Sequence, residues 1–179
     1  RKALQLLRRS NPTLLEWLDS PVVYRSDAHA MARLRTLVPD FFSQLRVRQH
    51  YLAMARKNVR GYLQGESVRL KKYLYVLRPL LAARWIDRGL GLPPMRFAEL
   101  AQATLDDAAL LEEINRLLAI KMQAKEGEYS PRWPRIHDFI VSELAAAERM
   151  SDYKHPTGDA ADLDRFLSET VLAGAPRMT

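Results

Sequence analysis

Residues 67–87 have the sequence SVRLKKYLYVLRPLLAARWID, and this stretch decides the fold. Its larger apolar side chains recur every three or four residues, which at about 3.6 residues per turn places them on one face of a helix. The face consists of Leu70, Tyr73, Leu74, Leu77 and Leu81. Residues 46–63, RVRQHYLAMARKNVRGYL, predict a second long helix, and the short turn at residues 64–66 favours an antiparallel hairpin. The sequence therefore predicts a central antiparallel pair of long helices.

A second face of the helix predicted over residues 67–87 carries cations and a phenol. Lys71, Tyr75 and Arg78 follow the i, i+4, i+7 rule, and Lys72 lies beside them. Such a face can hold an anion over a packed core, and it can equally be an ordinary solvated face. Pro79 lies inside the helical pattern, where it removes one hydrogen bond and favours a kink.

The rest of the chain shows the same helical periodicity. Further helices are predicted over residues 2–9, 12–18, 28–37, 97–101, 135–149 and 159–172, and over a long stretch from Thr104 or Asp106 to Lys125. Ser10 or Asn11, and later Asp27, are the expected N-caps, and Pro39 is expected to interrupt the chain after residue 37. The prediction is an all-α fold, a helical bundle.

Composition sets the broad class of protein. The 179 residues suit one domain of ordinary size, and the absence of cysteine excludes disulfides and thiolate chemistry. No run of about 18 apolar residues and no signal-peptide pattern is present, so we expect a soluble, cytoplasmic protein with no membrane partner. The net charge of +7 favours polyanionic partners such as nucleotides or nucleic acids. Because Arg1 is already inside a helical pattern, the natural N-terminus is expected upstream.

Two runs carry a resemblance to a known family. Residues 77–85, LRPLLAARW, and residues 11–18, NPTLLEWL, resemble the bacterial predicted nucleotidyltransferases of YcgL type, within the DNA polymerase beta-like nucleotidyltransferase superfamily. The resemblance runs from the first residue to about Ile140. It implies an enzyme that uses a nucleoside triphosphate and Mg²⁺ to transfer a nucleotidyl group to an acceptor that the resemblance does not name.

The metal-binding motif of that superfamily is not found in the chain. Such an enzyme needs a Gly-Ser turn, an Asp-x-Asp strand and a third carboxylate to hold two Mg²⁺ ions. No Gly-Ser pair is present, and the single Asp-x-Asp, residues 162–164, is expected in the first turn of a helix with Asp159. The family pattern places the catalytic carboxylates before Arg1. We therefore expect the C-terminal helical portion of the enzyme, with no catalytic residue and no metal ligand, and inactive alone.

The resemblance implies that this helical portion supplies cations to the triphosphate or to the acceptor. The nucleotide-binding candidates are Lys71, Lys72, Tyr75 and Arg78. An ammonium provides a compact charge for a phosphate, and a guanidinium can bind it through two parallel hydrogen bonds. A second tier, for which a solvated face is the favoured interpretation, consists of His50, Arg56, Lys57 and Asn58. The histidines are too scattered to predict a metal site.

The predicted organisation has three parts. Residues 1–24 are expected to adjoin a catalytic domain outside this sequence, residues 25–149 to form the helical nucleotide-binding or acceptor-binding domain, and residues 150–179 to form a loop and a final helix. Trp17 and the leucines near it are expected to form an exposed apolar patch, through which the protein could self-associate. The patch consists of Leu4, Leu7, Leu14 and Trp17.

Two other functions remain open from the sequence. One is a non-catalytic basic module that binds RNA or DNA through salt-sensitive phosphate contacts. Its contacts would come from Arg46, Arg48, Arg56, Arg60, Lys71 and Lys72. The other is a helical protein-interaction domain whose basic surface is incidental.

Overall fold

The computed structural model describes residues 1–123, 129–147 and 153–174, and most of them are helical. The helices are α1 Lys2–Arg8, α2 Pro12–Leu18, α3 Ala28–Phe41, α4 Gln44–Tyr62, α5 Leu70–Asp87, α6 Phe97–Thr104, α7 Ala108–Gln123, α8 Pro134–Ala146 and α9 Ala160–Gly174. Two short strands, β1 Ser67–Arg69 and β2 Tyr129–Pro131, pair antiparallel. The predicted all-α fold is confirmed, with this two-stranded ribbon as an addition. The predicted helix ends at Lys125 and Arg149 lie outside the described residues.

The chain divides into two compact units by its internal contacts. Unit 1 comprises Arg1–Val47 and Tyr153–Thr179, and unit 2 comprises Arg48–Asp152. The boundary at residue 47 falls within α4. These are units of packing, so the functional division at residues 24 and 149 stays a prediction.

Helix α5 is the core of unit 2. It contacts α6, α7 and α8. Its buried residues are Leu70, Tyr73, Val76, Leu77, Pro79, Leu80, Leu81, Ala82, Ala83 and Ile86. They cover most of the circumference, which is typical of a helix enclosed by others, and each large one contributes about 1.5–3 kcal/mol of burial free energy. Pro79 lies inside this helix, as the sequence predicts.

Three contacts show that α4 and α5 run antiparallel. Arg48 Nε lies 2.6 Å from Asp87 Oδ1, at the start of α4 and the end of α5. Asn58 Nδ2 donates to the Tyr75 carbonyl at 2.7 Å, and Lys72 Nζ lies 3.9 Å from the centre of the Tyr62 ring. As the residue number rises along α4, from 48 to 58 to 62, the number of the contacting residue on α5 falls, from 87 to 75 to 72. The predicted central antiparallel pair is therefore confirmed.

The connection between these two helices differs from the prediction. Helix α5 begins at Leu70, because residues 67–69 form β1 and pair with β2, Val68 opposite Ser130. Val68 is buried between two exposed neighbours, the alternation of a strand with one covered face. Arg132 closes the turn, with its Nε donating to the Gly65 carbonyl at 2.7 Å and an Nη to the Gln64 carbonyl at 2.8 Å. The predicted helix start at residue 67 is wrong because this pairing supplies the backbone hydrogen bonds.

Two further boundaries correct the sequence prediction. Pro39 does not interrupt its helix, since α3 continues to Phe41. Pro39 removes only its own amide bond, the one to the Arg35 carbonyl, and the helix ends two residues later, where the Pro39 carbonyl accepts from Phe42 N at 3.3 Å. Helix α7 begins at Ala108, and its cap is Asp107, whose Oδ1 accepts from the amides of the second and third helical residues. Neither Thr104 nor Asp106 begins it.

Unit 1 buries the apolar side chains that the sequence suggests are exposed. Leu4, Leu7 and Leu14 are 7%, 0% and 6% exposed, whereas Trp17 is 67% exposed. Helix α1 packs on α2 and α3, and these neighbours cover the leucine face. The prediction of an exposed four-residue patch is therefore wrong for the three leucines. Self-association stays a prediction, but these leucines do not offer a surface for it.

The N-caps of unit 1 follow the sequence. Asn11 Oδ1 accepts from Leu14 N at 3.1 Å, and Asp27 Oδ1 accepts from Ala30 N at 2.9 Å. Asp159 Oδ1 accepts from Ala161 N at 3.2 Å, and Asp162 lies in the first turn of α9. The Asp-x-Asp run is therefore helical, as predicted. Among the residues described, no helix combines the length and apolar character needed to cross a membrane.

Candidate functional site

The candidate site lies where the end of α4 meets the start of α5, in unit 2. Lys72 Nζ lies 3.9 Å from the centre of the Tyr62 ring and 4.7 Å from the centre of the Tyr75 ring. The rings are 42% and 53% exposed. Asn58 Nδ2 donates to the Tyr75 carbonyl and fixes this turn of α5 against α4. We call Asn58, Tyr62, Lys72 and Tyr75 the lysine–tyrosine cluster.

The backbone of the hairpin produces the cluster. Lys72 and Tyr75 are three residues apart on α5, so their side chains are neighbours on its surface. Tyr62 is the last residue of α4, and the antiparallel pairing brings it opposite Lys72. Each ring attracts the ammonium through its π face, an effect of about 0.5–1 kcal/mol at exposed sites. The lysine is thus held in place while part of its surface remains open to solvent.

A second cation–aromatic pair stands at the ribbon that precedes α5. Arg69 lies opposite Tyr129 in the register of β1 and β2. Its guanidinium carbon lies 5.2 Å from the centre of the Tyr129 ring, and its Nε donates to the Tyr129 hydroxyl at 3.0 Å. Tyr129 is 57% exposed. Arg69 lies three positions before Lys72, so this pair is close to the lysine–tyrosine cluster along the chain.

The structure brings together only part of the predicted first-tier set. Lys72 and Tyr75 are in contact, and Lys71 is half-buried on the first turn of α5. Arg78 is also half-buried, and its Nη1 donates to the Met95 carbonyl at 2.8 Å. That bond ties α5 to the segment before α6. If Arg78 bound a phosphate through two guanidinium nitrogens that include Nη1, its hydrogen bond to the Met95 carbonyl would have to break.

The second-tier residues are spread along α4. Asn58 belongs to the lysine–tyrosine cluster, whereas Arg56 and Lys57 are exposed. His50 is exposed too, and its ring makes an edge contact with Tyr51, with centres 6.2 Å apart. At 1.5 Å rise per residue, His50 is about 12 Å along the helix from Asn58. It therefore lies apart from the cluster.

Arg48 is not available for phosphate contacts. It is 6% exposed, pairs with Asp87, and donates from Nη2 to the Ala147 carbonyl at 3.2 Å. A buried guanidinium needs such partners because desolvating a charge is costly. Including Arg48 in a nucleic-acid-binding surface is therefore wrong, while Arg46, Arg56 and Arg60 are exposed.

A cleft of about 440 Å³ on unit 2 is lined by four acidic side chains, those of Asp106, Asp107, Asp138 and Glu143. Arg84 forms ion pairs with Glu143 and Asp106 and donates to the Thr104 carbonyl at 3.0 Å. Arg135 lies 3.4 Å from Asp107 and 3.7 Å from Glu113. These carboxylates neutralise arginines that join α5, α7 and α8.

The described carboxylates do not fit a two-metal site. Asp162 lies in the first turn of α9 with its Oδ1 3.6 Å from Arg165, and three acids of the cleft, Asp106, Asp107 and Glu143, form ion pairs with arginines. Across residues 1–123, 129–147 and 153–174, no group of three or more His, Asp or Glu side chains is arranged to hold a metal ion. No step of a metal-dependent reaction is assigned to these residues.

Among the residues that the structure describes, Tyr73 and Asp107 have a shifted pKa, and both shifts have structural causes. Burial raises the pKa of Tyr73, although a hydrogen bond from the Trp133 amide to its hydroxyl at 3.1 Å acts in the opposite direction. Hydrogen bonds from the amides of Leu110 and Ala109, together with Arg135, lower the pKa of Asp107. Neither group belongs to the lysine–tyrosine cluster.

Sequence reasoning missed Tyr62, Arg69 and Tyr129. Tyr62 could have been found, because it lies near the end of the helix predicted over residues 46–63, while Lys72 lies near the start of the next predicted helix. An antiparallel pair joined by a short turn brings the residues on the two sides of that turn together. Arg69 and Tyr129 carried no comparable signal, since their pairing depends on a ribbon formed between distant segments.

Comparison with known proteins now identifies the class. The chain belongs to the RNA repair pathway DNA polymerase beta family, whose family model matches residues 1–169. It is similar to the uncharacterized protein YcgL of Bacillus subtilis (strain 168), with 40% identity over 176 residues. The match covers 96% of this chain and 66% of the relative, just under two thirds of its length. No solved structure matches the chain. The family resemblance is confirmed, and the restriction to a C-terminal portion stays a prediction.

Proposed function

We propose that the chain is the helical, phosphate-binding part of a nucleotidyltransferase, which would bind a nucleoside triphosphate or the acceptor on the surface formed by α4 and α5. Membership of a DNA polymerase beta family of an RNA repair pathway supports this reaction class. The single observation that carries the proposal is the position of Lys72 between the exposed rings of Tyr62 and Tyr75. The absence of cysteine is compatible with a cytoplasmic location.

Each residue of this surface has a distinct role in the proposal. Lys72 provides a point charge for a phosphate oxygen, and because two rings already restrain it, binding costs less side-chain entropy. Tyr75 places its hydroxyl and ring beside that charge. Lys71 adds a neighbouring charge on the same turn, and Arg78 contributes at the far end of the surface. Mg²⁺ enters this proposal as the cofactor of a complete enzyme, held by residues outside those described here.

The proposal is tested by nucleotide binding. Isothermal titration of the full-length gene product with ATP and Mg²⁺ should give a measurable affinity, which Lys72→Ala and Arg78→Ala each weaken at least several-fold because a phosphate contact is lost. Lys154→Ala is the matched control, since Lys154 is an exposed lysine of unit 1. Because Arg78 also binds the Met95 carbonyl, thermal melting must accompany its variant. Unchanged affinity in both variants would contradict the assignment.

A second candidate function is a basic module that binds RNA or DNA without catalysis. The observation that favours it is the net charge of +7 together with the exposed Arg56, Lys57 and Arg60 along α4. Because such binding releases counterions from the nucleic acid, its affinity falls steeply as salt rises. A gel shift of a generic oligonucleotide at low salt tests it, and the absence of any shift there excludes it.

A further inference from the structure

Three exposed tyrosine rings at one end of unit 2 each lie against a cation. Tyr62 and Tyr75 flank Lys72, and Tyr129 lies against Arg69. These three tyrosines are 42%, 53% and 57% exposed as whole residues, so each is accessible to a partner from solvent. Arg69 immediately precedes α5 and Lys72 lies three positions further along the chain, so these five residues are grouped around the start of α5. We call them the stacking platform.

We infer that the stacking platform binds single-stranded nucleic acid, with bases stacked on the tyrosine rings and phosphates contacting Arg69 and Lys72. Proteins that bind single strands combine a positive surface with aromatic side chains, because every base offers a π face while the backbone offers charge. The platform has both components, and the net charge of +7 favours the same partner.

The elements of the platform are held rigidly enough to act together. Tyr62 ends α4, Tyr75 is bound through its carbonyl to Asn58, and Tyr129 is fixed by strand pairing with Arg69. Cross-strand neighbours of this kind keep their side chains in contact on one face of a ribbon. Preorganised side chains lose little entropy on binding, so more of the stacking energy contributes to affinity.

A single strand fits this surface better than a duplex or a lone nucleotide. The bases of a duplex are stacked on each other and offer no free faces to the rings, whereas an unpaired strand does. A lone nucleotide has one base, but the platform presents rings on α4, α5 and β2. The inference rests on the proposed function only where it identifies the bound strand as the acceptor of nucleotidyl transfer.

The test is fluorescence anisotropy of a labelled pyrimidine oligonucleotide of about twelve residues, within the usual site sizes for single-strand binding. RNA and DNA versions are titrated with the chain in the absence of nucleoside triphosphate and Mg²⁺. Tyr75→Leu and Tyr129→Leu should each raise the Kd by about fivefold to about a hundredfold, which is the 1–3 kcal/mol of one stacked base converted at 1.4 kcal/mol per factor of ten.

Two control variants separate stacking from general surface effects. Tyr24→Leu should leave the Kd unchanged, because Tyr24 is 98% exposed and lies in unit 1. Tyr75→Phe should recover most of the affinity that Tyr75→Leu loses, because the aromatic ring is restored without the hydroxyl. The melting temperature of each variant checks that the protein still folds. We expect it to fold, because Tyr75 and Tyr129 are both more than half exposed.

The outcomes decide the inference in either direction. The inference is supported if the RNA oligonucleotide, or both the RNA and the DNA oligonucleotide, bind and if Tyr75→Leu and Tyr129→Leu weaken that binding. A preference for RNA would show that the 2′-hydroxyl is recognised. Equal affinity for a duplex, no binding at low salt, or unchanged Kd in both leucine variants overturns it. Crosslinking of a thiouridine-labelled strand provides a second readout, in which adducts confined to residues outside the platform also overturn it.

This experiment is separable from the test of the proposed function. If ATP binds and Lys72→Ala weakens it, but no oligonucleotide binds, the stacking platform fails and the nucleotide site stands. If the oligonucleotide binds through the tyrosines and ATP does not bind, the platform stands and the nucleotide assignment fails.

Discussion

Gly158, in unit 1, packs closely on a buried aromatic ring, and this contact yields a quantitative prediction. The amides of Thr157 and Gly158 both donate to the Asp40 carbonyl, at 2.9 and 2.8 Å. A Cβ added at Gly158 would lie 2.7–2.8 Å from three ring atoms of Phe41. Phe41 is only 4% exposed, so its ring has little room to move away. Gly158→Ala should therefore strain this part of unit 1.

The expected cost of Gly158→Ala is the balance of two terms. Overpacking of a buried ring costs about 1–3 kcal/mol, whereas replacing glycine by alanine gains about 0.4–1 kcal/mol by restricting the unfolded chain. The net loss of unfolding free energy is then at most about 2.6 kcal/mol, with a middle value of about 1.3 kcal/mol. With a urea m-value of about 2 kcal/mol/M, the unfolding midpoint is expected to fall by about 0.65 M, and by no more than about 1.3 M. Urea titration followed by far-ultraviolet circular dichroism measures this shift.

Gly61→Ala is the matched control. Gly61 lies in α4, and a Cβ added there meets nothing within 4 Å. Alanine in a helix is favoured over glycine by about 0.5–1 kcal/mol, so this variant should be more stable than the unmodified chain. If Gly158→Ala proved as stable as the unmodified chain while Gly61→Ala gained stability, the close packing of Gly158 on Phe41 would be refuted.

Two further predictions concern protonation. Asp107→Ala should be less stable than the unmodified chain at pH 7, and the difference should shrink as pH falls from about 4 to about 2, because the pKa of Asp107 is lowered in the folded state and its stabilisation is lost on protonation. Asp107→Asn keeps the N-cap and should remain stable at pH 7 and at low pH. Urea unfolding at each pH measures the stability of the variants, and a difference between Asp107→Ala and the unmodified chain that does not change with pH would contradict the prediction. Tyr73→Phe removes the acceptor of the Trp133 amide and should cost about 1–2 kcal/mol at pH 8. Burial raises the pKa of Tyr73, so above about pH 10 this tyrosine ionises first in the unfolded state, and the unmodified chain loses stability there. The cost of Tyr73→Phe should therefore diminish above about pH 10, and a cost that grows with pH would contradict the prediction.

Most of the helical architecture is predictable from local sequence. The apolar spacing of residues 70–81 places α5 in the core, and Asn11 and Asp27 cap the helices that they were expected to cap. These features depend on interactions within a few residues, namely side-chain periodicity and short hydrogen bonds to the following amides. The antiparallel arrangement of α4 and α5 was equally accessible, because a short connection leaves two long helices few alternatives.

The candidate site was predictable only in part. Lys72 and Tyr75 were identified because they are near neighbours on one helix. Arg48 and Arg56 are both cations of α4, yet Asp87 and the Ala147 carbonyl bury Arg48 while Arg56 remains exposed. The helical period does place Arg48 on the apolar face of α4, with Tyr51 and Leu52, and Arg56 beside that face. What the sequence of α4 does not show is the pair of acceptors that a buried guanidinium needs, because the fold brings these groups from distant segments.

The sequence by itself determined which segments are helical, where several of them begin, and that α4 and α5 pair. Tertiary structure alone decided that residues 67–69 form a strand, because Val68 gains its hydrogen-bonded partner from Ser130, far along the chain. It also decided that the leucines of α1 are buried and that Tyr129 lies against Arg69. Local periodicity specifies one face of an element, but only the packed neighbour determines whether that face is covered.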